Sequence, residues 1–482
     1  MKNILIILCA LAHCAALATP AVCVATATAQ AGLIPPTADF PLSTVDLSAD
    51  KSRHVIIARG ATDIYQGHPT TVLLPNGKTI YCVWTIGHGG PCGPMKRSDD
   101  GGLTWSDLLP VPENWKTMRN CPAIYCLTDP AGKARLVVFA QNKGVTWRAC
   151  SEDDGKTWSP MQSAGAGLAP SVMPFTDVKP VDGGKRLLAM TNIRRPGETR
   201  EKHSNVLAQT FSTDGGLTWS AYEIVRDIPG LRLCEPEIVR SPDGKQLLCL
   251  IREDATHESL FMTSNDEGRT WSKEKKLPKS LWGDRHKAKY TPDGRLVVVF
   301  RDVGRKNSPT NNHFVAWAGS YDDIVNVRET GGYRVKLIHN HRRGNKFSGR
   351  LMDDCGYPGL EVLPDSTLVA TTYAKYTEGD EGNYVVAVRF KLSETDAALH
   401  AARLPPPKPR RQKRQITDVT QPADFAGPDL VSGRELPVWP PTRARPDTRS
   451  GPTSSVTSVD KITPPRTPPR GRADAGLQRK PV

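Results

Sequence analysis

A short motif repeats four times in the first 275 residues and constrains the fold more than any other feature of the chain. Each copy fits the pattern Ser-x-Asp-x-Gly-x-Thr-Trp, and successive copies begin 53, 61 and 52 residues apart. The Asp carboxylate can accept backbone N–H bonds and the Gly can take a positive φ, so each copy predicts a tight turn between strands. Turns at this spacing indicate a repeat of about 50 residues, the size of one small antiparallel sheet. The copies are Ser98–Trp105, Ser151–Trp158, Ser212–Trp219 and Ser264–Trp271.

A second repeat gives the number of units. Six segments open on one residue and continue as a β-rich run, a turn and a second β-rich run. No helical period separates these runs, so we expect strands that pair across short turns. The sequence therefore predicts an all-β fold, a six-bladed β-propeller. The six opening residues are His68, Cys121, Ala169, Glu235, His286 and Tyr357.

The two ends of the chain differ from this repeat in composition. An apolar run over 4–18 and small residues that end at Ala31 are typical of a secretory signal, so we expect export to the periplasm or the medium. From about Leu404 onwards Pro, Arg, Ser and Thr dominate, and such a segment has too few apolar residues to bury a core. The expected organisation is a signal peptide over 1–31, a propeller over 32–402 and a disordered tail over 403–482.

The positive charge of the chain is concentrated in the tail. The formal net charge is +14 at pH 7, and residues 401–482 carry 16 Lys and Arg against 7 Asp and Glu. The propeller is therefore only weakly basic, which argues against a nucleic-acid partner for it. The tail could contact an acidic surface, although a solvated charged linker is the favoured interpretation.

Eight cysteines lie outside the predicted signal peptide, and an even number in an exported protein permits disulfides. Several of them fall within strands, where a thiol packs as a small apolar group, so at most one or two bridges are expected. Without a Cys-x-x-Cys pair there is no sign of a zinc site, and histidines on different blades rarely converge on one ion. We predict no metal, no cofactor and a monomer.

The opening residues predict a polar site at one mouth of the propeller. The innermost strand of each blade lines the central channel, so these residues and those that end the second strands should meet at one rim. A guanidinium binds a carboxylate through two parallel hydrogen bonds, so arginines on this rim favour an anionic ligand. The predicted ring contains His68, Glu235, Arg252, His286, Arg301 and Tyr357.

The repeated turns, the six units and the placement of these residues resemble the bacterial exo-sialidases and the wider family of BNR, or Asp-box, propellers. The resemblance covers roughly residues 55–395. Glu235 followed by Arg252 resembles the sialidase segment with the catalytic Glu and a triad arginine, and the segment at Tyr357 resembles the one with the tyrosine nucleophile. The resemblance implies that Glu235 accepts the phenol proton of Tyr357 as the phenol attacks the sugar.

Blade 1 lacks two residues that sialidases have there. Their first triad arginine is replaced by the stretch Tyr65-Gln-Gly-His68, and their acid-carrying loop here reads Ile86-Gly-His88-Gly-Gly, without a carboxylate. His88 or His68 could donate the proton instead, because imidazole titrates near neutral pH. Arg301 matches the third arginine loosely, with Arg285 and Arg305 as alternatives.

The sequence thus predicts an exported glycoside hydrolase of the exo-α-sialidase type that removes a terminal anionic sugar from a glycan. Tyr357 would be the nucleophile, Glu235 its base and His88 or His68 the acid, while Arg252 and Arg301, with His286 beside them, would bind the sugar. Two alternatives stay open. One is a non-catalytic glycan-binding propeller, and the other is a different polysaccharide-cleaving enzyme that uses the mouth histidines.

Overall fold

Six β-sheets, antiparallel within each blade, follow one another along the chain in the structure, a computed structural model that describes residues 31–198, 204–304, 308–341, 354–379 and 382–403. First strands of neighbouring blades pack beside one another around a central channel. The fold is the six-bladed β-propeller that the sequence predicts. The predicted signal peptide up to residue 30, the predicted tail after residue 403 and Arg305 lie outside the described residues.

The strands are numbered in chain order, and three of them precede the first blade. These are β1 (Gly32–Ile34), β2 (Thr44–Asp46) and β3 (His54–Ala58). Blades 1 to 3 contain β4 (Gln66–Leu73), β5 (Ile80–Ile86) and β6 (Cys92–Ser98); β7 (Arg119–Thr128), β8 (Ala134–Asn142), β9 (Val145–Ser151) and β10 (Gln162–Ser163); and β11 (Asp177–Val181), β12 (Arg186–Arg194), β13 (Asn205–Ser212) and β14 (Glu223–Arg226).

Blades 4 to 6 follow the same antiparallel order. They contain β15 (Leu233–Arg240), β16 (Leu247–Glu253), β17 (Leu260–Ser264) and β18 (Lys275–Lys276); β19 (Gly283–Tyr290), β20 (Leu296–Asp302), β21 (Phe314–Gly319) and β22 (Tyr333–Ile338); and β23 (Gly356–Val362), β24 (Leu368–Ala374) and β25 (Tyr384–Phe390). Two α-helices, α1 (Tyr321–Val325) and α2 (Leu392–Arg403), and short 3-10 turns at Lys51–Arg53, Glu113–Thr117, Asp182–Gly184 and Lys279–Leu281 connect or follow the strands. Among the described residues, no helix is long and apolar enough to cross a membrane.

The N-terminal strands close the propeller. Strand β3 is the outer strand of blade 6 and pairs antiparallel with β25, with His54 opposite Val388. Strand β2 pairs in parallel with β22 of blade 5, with Val45 opposite Val335, and β1 extends that sheet. The last blade is therefore completed by the beginning of the described chain, which ties the two ends of the ring together.

The four turn motifs build the same hydrogen-bond network, as the first copy illustrates. Asp100 accepts the backbone N–H groups of Leu103 and Thr104 at 2.9 Å, and the Thr104 hydroxyl at 2.6 Å. The Ser98 hydroxyl donates to Asp100 at 2.8 Å and accepts the N–H of Gly102, which has a φ of 85°. One carboxylate thus satisfies the donors of a turn that leaves the third strand of its blade, which explains the residue types and their spacing.

The hydrophobic cores lie between neighbouring blades. Val83 of blade 1 packs in one cluster with Val138 of blade 2, and Leu250 of blade 4 packs with Val298 of blade 5. The second strand of each blade is buried on both faces, so it is apolar at successive positions rather than at every second one. All eight described cysteines are free thiols.

Candidate active site

The first strands of five blades share an unusual backbone conformation where they reach the mouth. In each, one non-glycine residue has a φ between +43° and +54°, and the pairing with the second strand shifts register there. Such a conformation costs about 1–3 kcal/mol and a bulge of this kind re-aims a side chain, so both are common at functional sites. The five residues are His68, Cys121, Glu235, Arg285 and Tyr357.

In blade 5 the bulge residue is Arg285 and not His286. His286 takes the place that a proline has in the other four bulges, and its Nε2 lies 2.8 Å from the carbonyl oxygen of Leu281. Its ring packs on Phe300 inside the core cluster between blades 4 and 5. The structure therefore separates His286 from the mouth residues. The repeat pattern predicts the bulge one position too late in blade 5, because this blade lacks the proline that marks the bulge elsewhere.

Tyr357 and Glu235 meet at the mouth although they come from blades 6 and 4. The Tyr357 hydroxyl donates a hydrogen bond to Glu235 Oε1, and only 9% of Tyr357 and 3% of Glu235 are exposed. Arg252 Nη1 donates to the same carboxylate, at 3.2 Å to Oε1 and 3.0 Å to Oε2. Burial and the negative charge of Glu235 raise the pKa of Tyr357 well above its ordinary value. The phenol therefore keeps its proton at rest and has a carboxylate in place to receive it.

Arg252 and Arg301 occupy equivalent positions near the ends of second strands, and one carboxylate joins them. Asp284 places Oδ1 3.0 Å from Arg252 Nε and Oδ2 3.0 Å from Arg301 Nε. Arg252 Nη2 also lies 2.9 Å from Asp254, and Arg301 Nη1 lies 3.0 Å from Asp354. Every guanidinium nitrogen of both arginines thus contacts a carboxylate of the protein, so a substrate carboxylate would have to share these donors.

Asp354, like Asp284, is a carboxylate of the site that the sequence analysis does not predict. It accepts hydrogen bonds from the hydroxyl groups of Tyr65 and Tyr373, from Arg301 Nη1 and from His88 Nδ1 at 2.9 Å. Burial opposes its ionisation, but the hydrogen bond from His88 and the charge of Arg301 lower the pKa of Asp354 well below its ordinary value. Its position three residues before Tyr357 is the sequence feature that could have indicated a role in the site.

The two mouth histidines have opposite environments. The side chain of His88 is 57% exposed, and its hydrogen bond with Asp354 raises its pKa. His68 is 2% exposed, its Nδ1 accepts the Gly89 N–H at 3.2 Å, and burial lowers its pKa to about 3. The ring of His68 lies between those of His88 and Tyr357, at centroid distances of 4.7 and 4.3 Å. His88 can therefore carry a proton near neutral pH, whereas His68 stays neutral with its proton on Nε2.

Arg285 is a third arginine of this cluster. It is 4% exposed, its guanidinium lies 5.7 Å from the centroid of the Tyr357 ring, and its Nη2 donates to the Thr176 carbonyl oxygen at 3.4 Å. Its Nη1 has no hydrogen-bond partner among the described residues. Within the same residues, no group of three or more His, Cys, Asp or Glu side chains is arranged to hold a metal ion.

Comparison with known proteins finds similarities to parts of the chain. The family of BNR repeat-like domains matches residues 182–338, the part of the ring that carries Glu235, Arg252 and Arg301. Over 186 residues the chain is 30% identical to a sialidase of Micromonospora viridifaciens, a match that covers 32% of this chain and 27% of that protein. The chain therefore matches about a quarter of the length of its curated relative.

Solved structures share the propeller fold of this chain. A protein of unknown function from Dyadobacter fermentans superposes with a TM-score of 0.54 at 15% identity, over 70% of this chain and 97% of its own. The GH93 α-L-arabinofuranosidase of Fusarium graminearum, in complex with arabinobiose, gives a TM-score of 0.50 at 16% identity, over 71% of this chain and 98% of its own. At such identities the likeness shows the propeller fold.

Proposed function

We propose that this protein is an exo-acting glycoside hydrolase of the sialidase type that removes a terminal sugar from a glycan. The observation that carries the proposal is the hydrogen bond from the buried Tyr357 hydroxyl to Glu235, whose carboxylate is held by Arg252. A phenol is a poor nucleophile while it keeps its proton, and a carboxylate in hydrogen-bond contact removes that obstacle. The 30% identity with a sialidase supports the same chemistry.

In the proposed first step, Tyr357 Oη attacks the anomeric carbon and its proton passes to Glu235. The glycosidic bond breaks, and the leaving oxygen takes a proton from Nε2 of protonated His88. In the second step, water attacks the anomeric carbon of the tyrosyl glycoside while neutral His88 takes a proton from the water. Glu235 then returns its proton to Tyr357, so every group ends in its starting state. Two displacements at one carbon retain the anomeric configuration.

His88 is assigned the proton transfer because of the contrast with His68. Asp354 favours the protonated form of His88, and the side chain is exposed enough to reach a leaving group. Nδ1 of His68 accepts the Gly89 N–H, so that nitrogen cannot take a proton without losing the contact. His68 is better suited to donate a hydrogen bond to the sugar from Nε2, which has no partner among the described residues.

The sugar itself is either anionic or neutral, and each possibility has one observation in its favour. Three arginines in one buried cluster, together with the sialidase relative, favour an anionic sugar. The carboxylates that already engage Arg252 and Arg301 favour a neutral terminal sugar such as the arabinofuranose on which the Fusarium enzyme acts. We propose the anionic sugar as the first substrate class and the neutral sugar as the second.

A panel of fluorogenic glycosides tests the proposal. Purified protein should release the fluorophore from α-sialosides, uronosides or α-L-arabinofuranosides, and the class cleaved fastest identifies the sugar. A fluorinated activated glycoside of that class should then add one sugar mass to the protein, and peptide mapping should place it on Tyr357. Binding of glycans without cleavage of any glycoside would favour the non-catalytic propeller instead.

Export also belongs to the proposal, because glycans with exposed terminal sugars are found outside the cytoplasm. N-terminal sequencing of protein recovered from the periplasm or the medium should begin at Gly32, directly after Ala31. A mature protein that still begins at Met1 would contradict this part of the proposal. We further propose that the propeller acts as a monomer and that the basic tail is a solvated linker able to contact an acidic surface.

A further inference from the structure

The Asp354 carboxylate accepts hydrogen bonds from four separate parts of the fold. It accepts from Tyr65 before β4, from His88 after β5, from Arg301 in β20 and from Tyr373 in β24. The backbone carbonyl of Asp354 accepts from Asn383 at 2.9 Å. A carboxylate with this many donors is fixed in position and stays ionised. It can therefore orient the side chain that it contacts on the solvent side.

His88 is that group, and its loop offers it little other support. The loop turns tightly because Gly87 and Gly89 have positive φ values and because a Cβ at Gly90 would lie 1.7 Å from the Ile86 carbonyl oxygen. The only hydrogen bond of the His88 ring among the described residues is that from Nδ1 to Asp354 Oδ2, at 2.9 Å. The contact leaves Nε2 on the far side of the ring, in a side chain that is 57% exposed.

We propose that Asp354 is the positioning residue that holds His88 through Nδ1, so that Nε2 faces the glycosidic oxygen. Asp354 does not touch the reacting atoms in this assignment and acts only through the orientation and charge of the imidazole. The inference rests on the proposed function for its catalytic consequence, but the coupling between the two side chains can be measured without any substrate.

The charges around His88 define what a substitution of Asp354 should do. Asp354 and Glu235 favour the imidazolium, whereas Arg301 disfavours it, and the rings of His68 and Tyr65 pack against His88 without a formal charge. Because the pKa of His88 is raised in the folded protein, loss of the Asp354 charge should make the imidazolium lose its proton at lower pH.

NMR titration of the full chain with labelled histidine tests the coupling directly. Asp354→Asn should lower the pKa of His88 by about one unit or more, with the His88 resonance assigned from a His88→Gln variant. Asp365→Asn is the matched control, because Asp365 is a carboxylate in a distant turn that pairs with Lys391, and it should leave the His88 pKa unchanged. An unchanged His88 pKa in Asp354→Asn would overturn the inference.

A second variant keeps the test available if Asp354→Asn does not fold. Tyr373→Phe removes one donor that competes for the Asp354 carboxylate, so more of its charge acts on His88 and the His88 pKa should rise. No change in Tyr373→Phe would likewise overturn the inference.

Kinetics then separate a positioning role from a structural one. The basic limb of the kcat/KM profile, which reports the free enzyme and the first step, should move to lower pH in Asp354→Asn by the same amount as the His88 pKa. A structural defect would instead lower kcat/KM equally at all pH values. A pKa that moves without the kinetic limb would overturn the role in proton transfer. If the wild type cleaves no glycoside, the proposed function fails, while the titration still decides whether Asp354 holds His88.

Discussion

The Tyr357 hydroxyl donates a hydrogen bond to Glu235 across the mouth of the propeller, from the first strand of blade 6 to the first strand of blade 4. Both residues sit on bulges with positive φ and precede a proline. The fold thus uses the same local distortion twice to bring two distant segments into contact. This pair is the centre of the candidate site, and Arg252, Asp284, Arg301 and Asp354 surround it with charges that hold it in place.

The first prediction concerns the charge network around Glu235. Replacement of Arg252 by Ala leaves the buried Glu235 carboxylate without its ion-pair partner, while Asp254 and Asp284 keep Arg232 and Arg301. Loss of one partner of a buried pair is far more costly than loss of an exposed pair. We expect the free energy of unfolding to fall by about 3 kcal/mol or more in urea titrations. Arg97→Ala, which removes a surface pair with Asp99, should cost less than about 1 kcal/mol. Equal effects of the two changes would contradict the described network.

The second prediction concerns stability in acid. Burial lowers the pKa of His68 to about 3, whereas the unfolded chain protonates a histidine near pH 6.5. Stability from this neutral imidazole is therefore present above pH 6.5 and is lost as pH falls toward the folded pKa, because the unfolded state takes up the proton first. Between pH 6.5 and 5 the loss from His68 should be about 2 kcal/mol.

His68→Gln is the matched variant for that measurement. Glutamine cannot titrate, so the difference in unfolding free energy between pH 7 and pH 5 should shrink relative to wild type. His88→Gln should change the difference in the opposite sense, because the pKa of His88 is raised and its protonation stabilises the folded state. A pH dependence that is identical in His68→Gln and wild type would show that His68 is already solvated or protonated.

The third prediction concerns the turn motifs. Asp214 accepts the backbone N–H groups of Leu217 and Thr218 as well as the hydroxyls of Ser212 and Thr218. Asp214→Ala leaves these donors without their acceptor and should lower the free energy of unfolding by about 1–3 kcal/mol, with a lower Tm and unchanged kcat/KM at 25 °C. Asp107→Ala, at an exposed position just after a turn motif, is the control and should leave Tm unchanged. A loss of activity without a loss of stability would contradict a structural role.

Much of the fold could be predicted because its signals are local. A turn such as Ser98–Trp105 is specified by residues within one hydrogen-bond network, so the sequence displays it directly. Closure of the ring could not be predicted in the same way. The pairing of β3 with β25, and of β2 with β22, depends on segments that meet only after the ring has formed, and a short strand such as His54–Ala58 carries no mark of its partner.

The candidate site also contains residues that could be predicted from the sequence and residues that could not. Glu235, Tyr357, Arg252 and Arg301 could be found because they recur at fixed places in the repeated segments, and the structure brings them together. Asp284 and Asp354 precede the opening residues, where the repeat has no constant residue type, so their role emerges only from their contacts. The prediction that His286 lies at the mouth is wrong for a related reason. Blade 5 has no proline to mark which residue of its first strand forms the bulge.

The most direct test of the account is the turnover of Tyr357→Phe on the best glycoside of the panel. The change removes only the oxygen that donates to Glu235, so folding and sugar binding should be nearly intact while kcat falls by several orders of magnitude. Tyr125→Phe is the control, because among the described residues its hydroxyl hydrogen-bonds to the Phe175 carbonyl oxygen and not to a catalytic group, and its kcat should match the wild type. A Tyr357→Phe enzyme that cleaves at a rate close to wild type would contradict the tyrosine nucleophile and would favour chemistry by the mouth histidines.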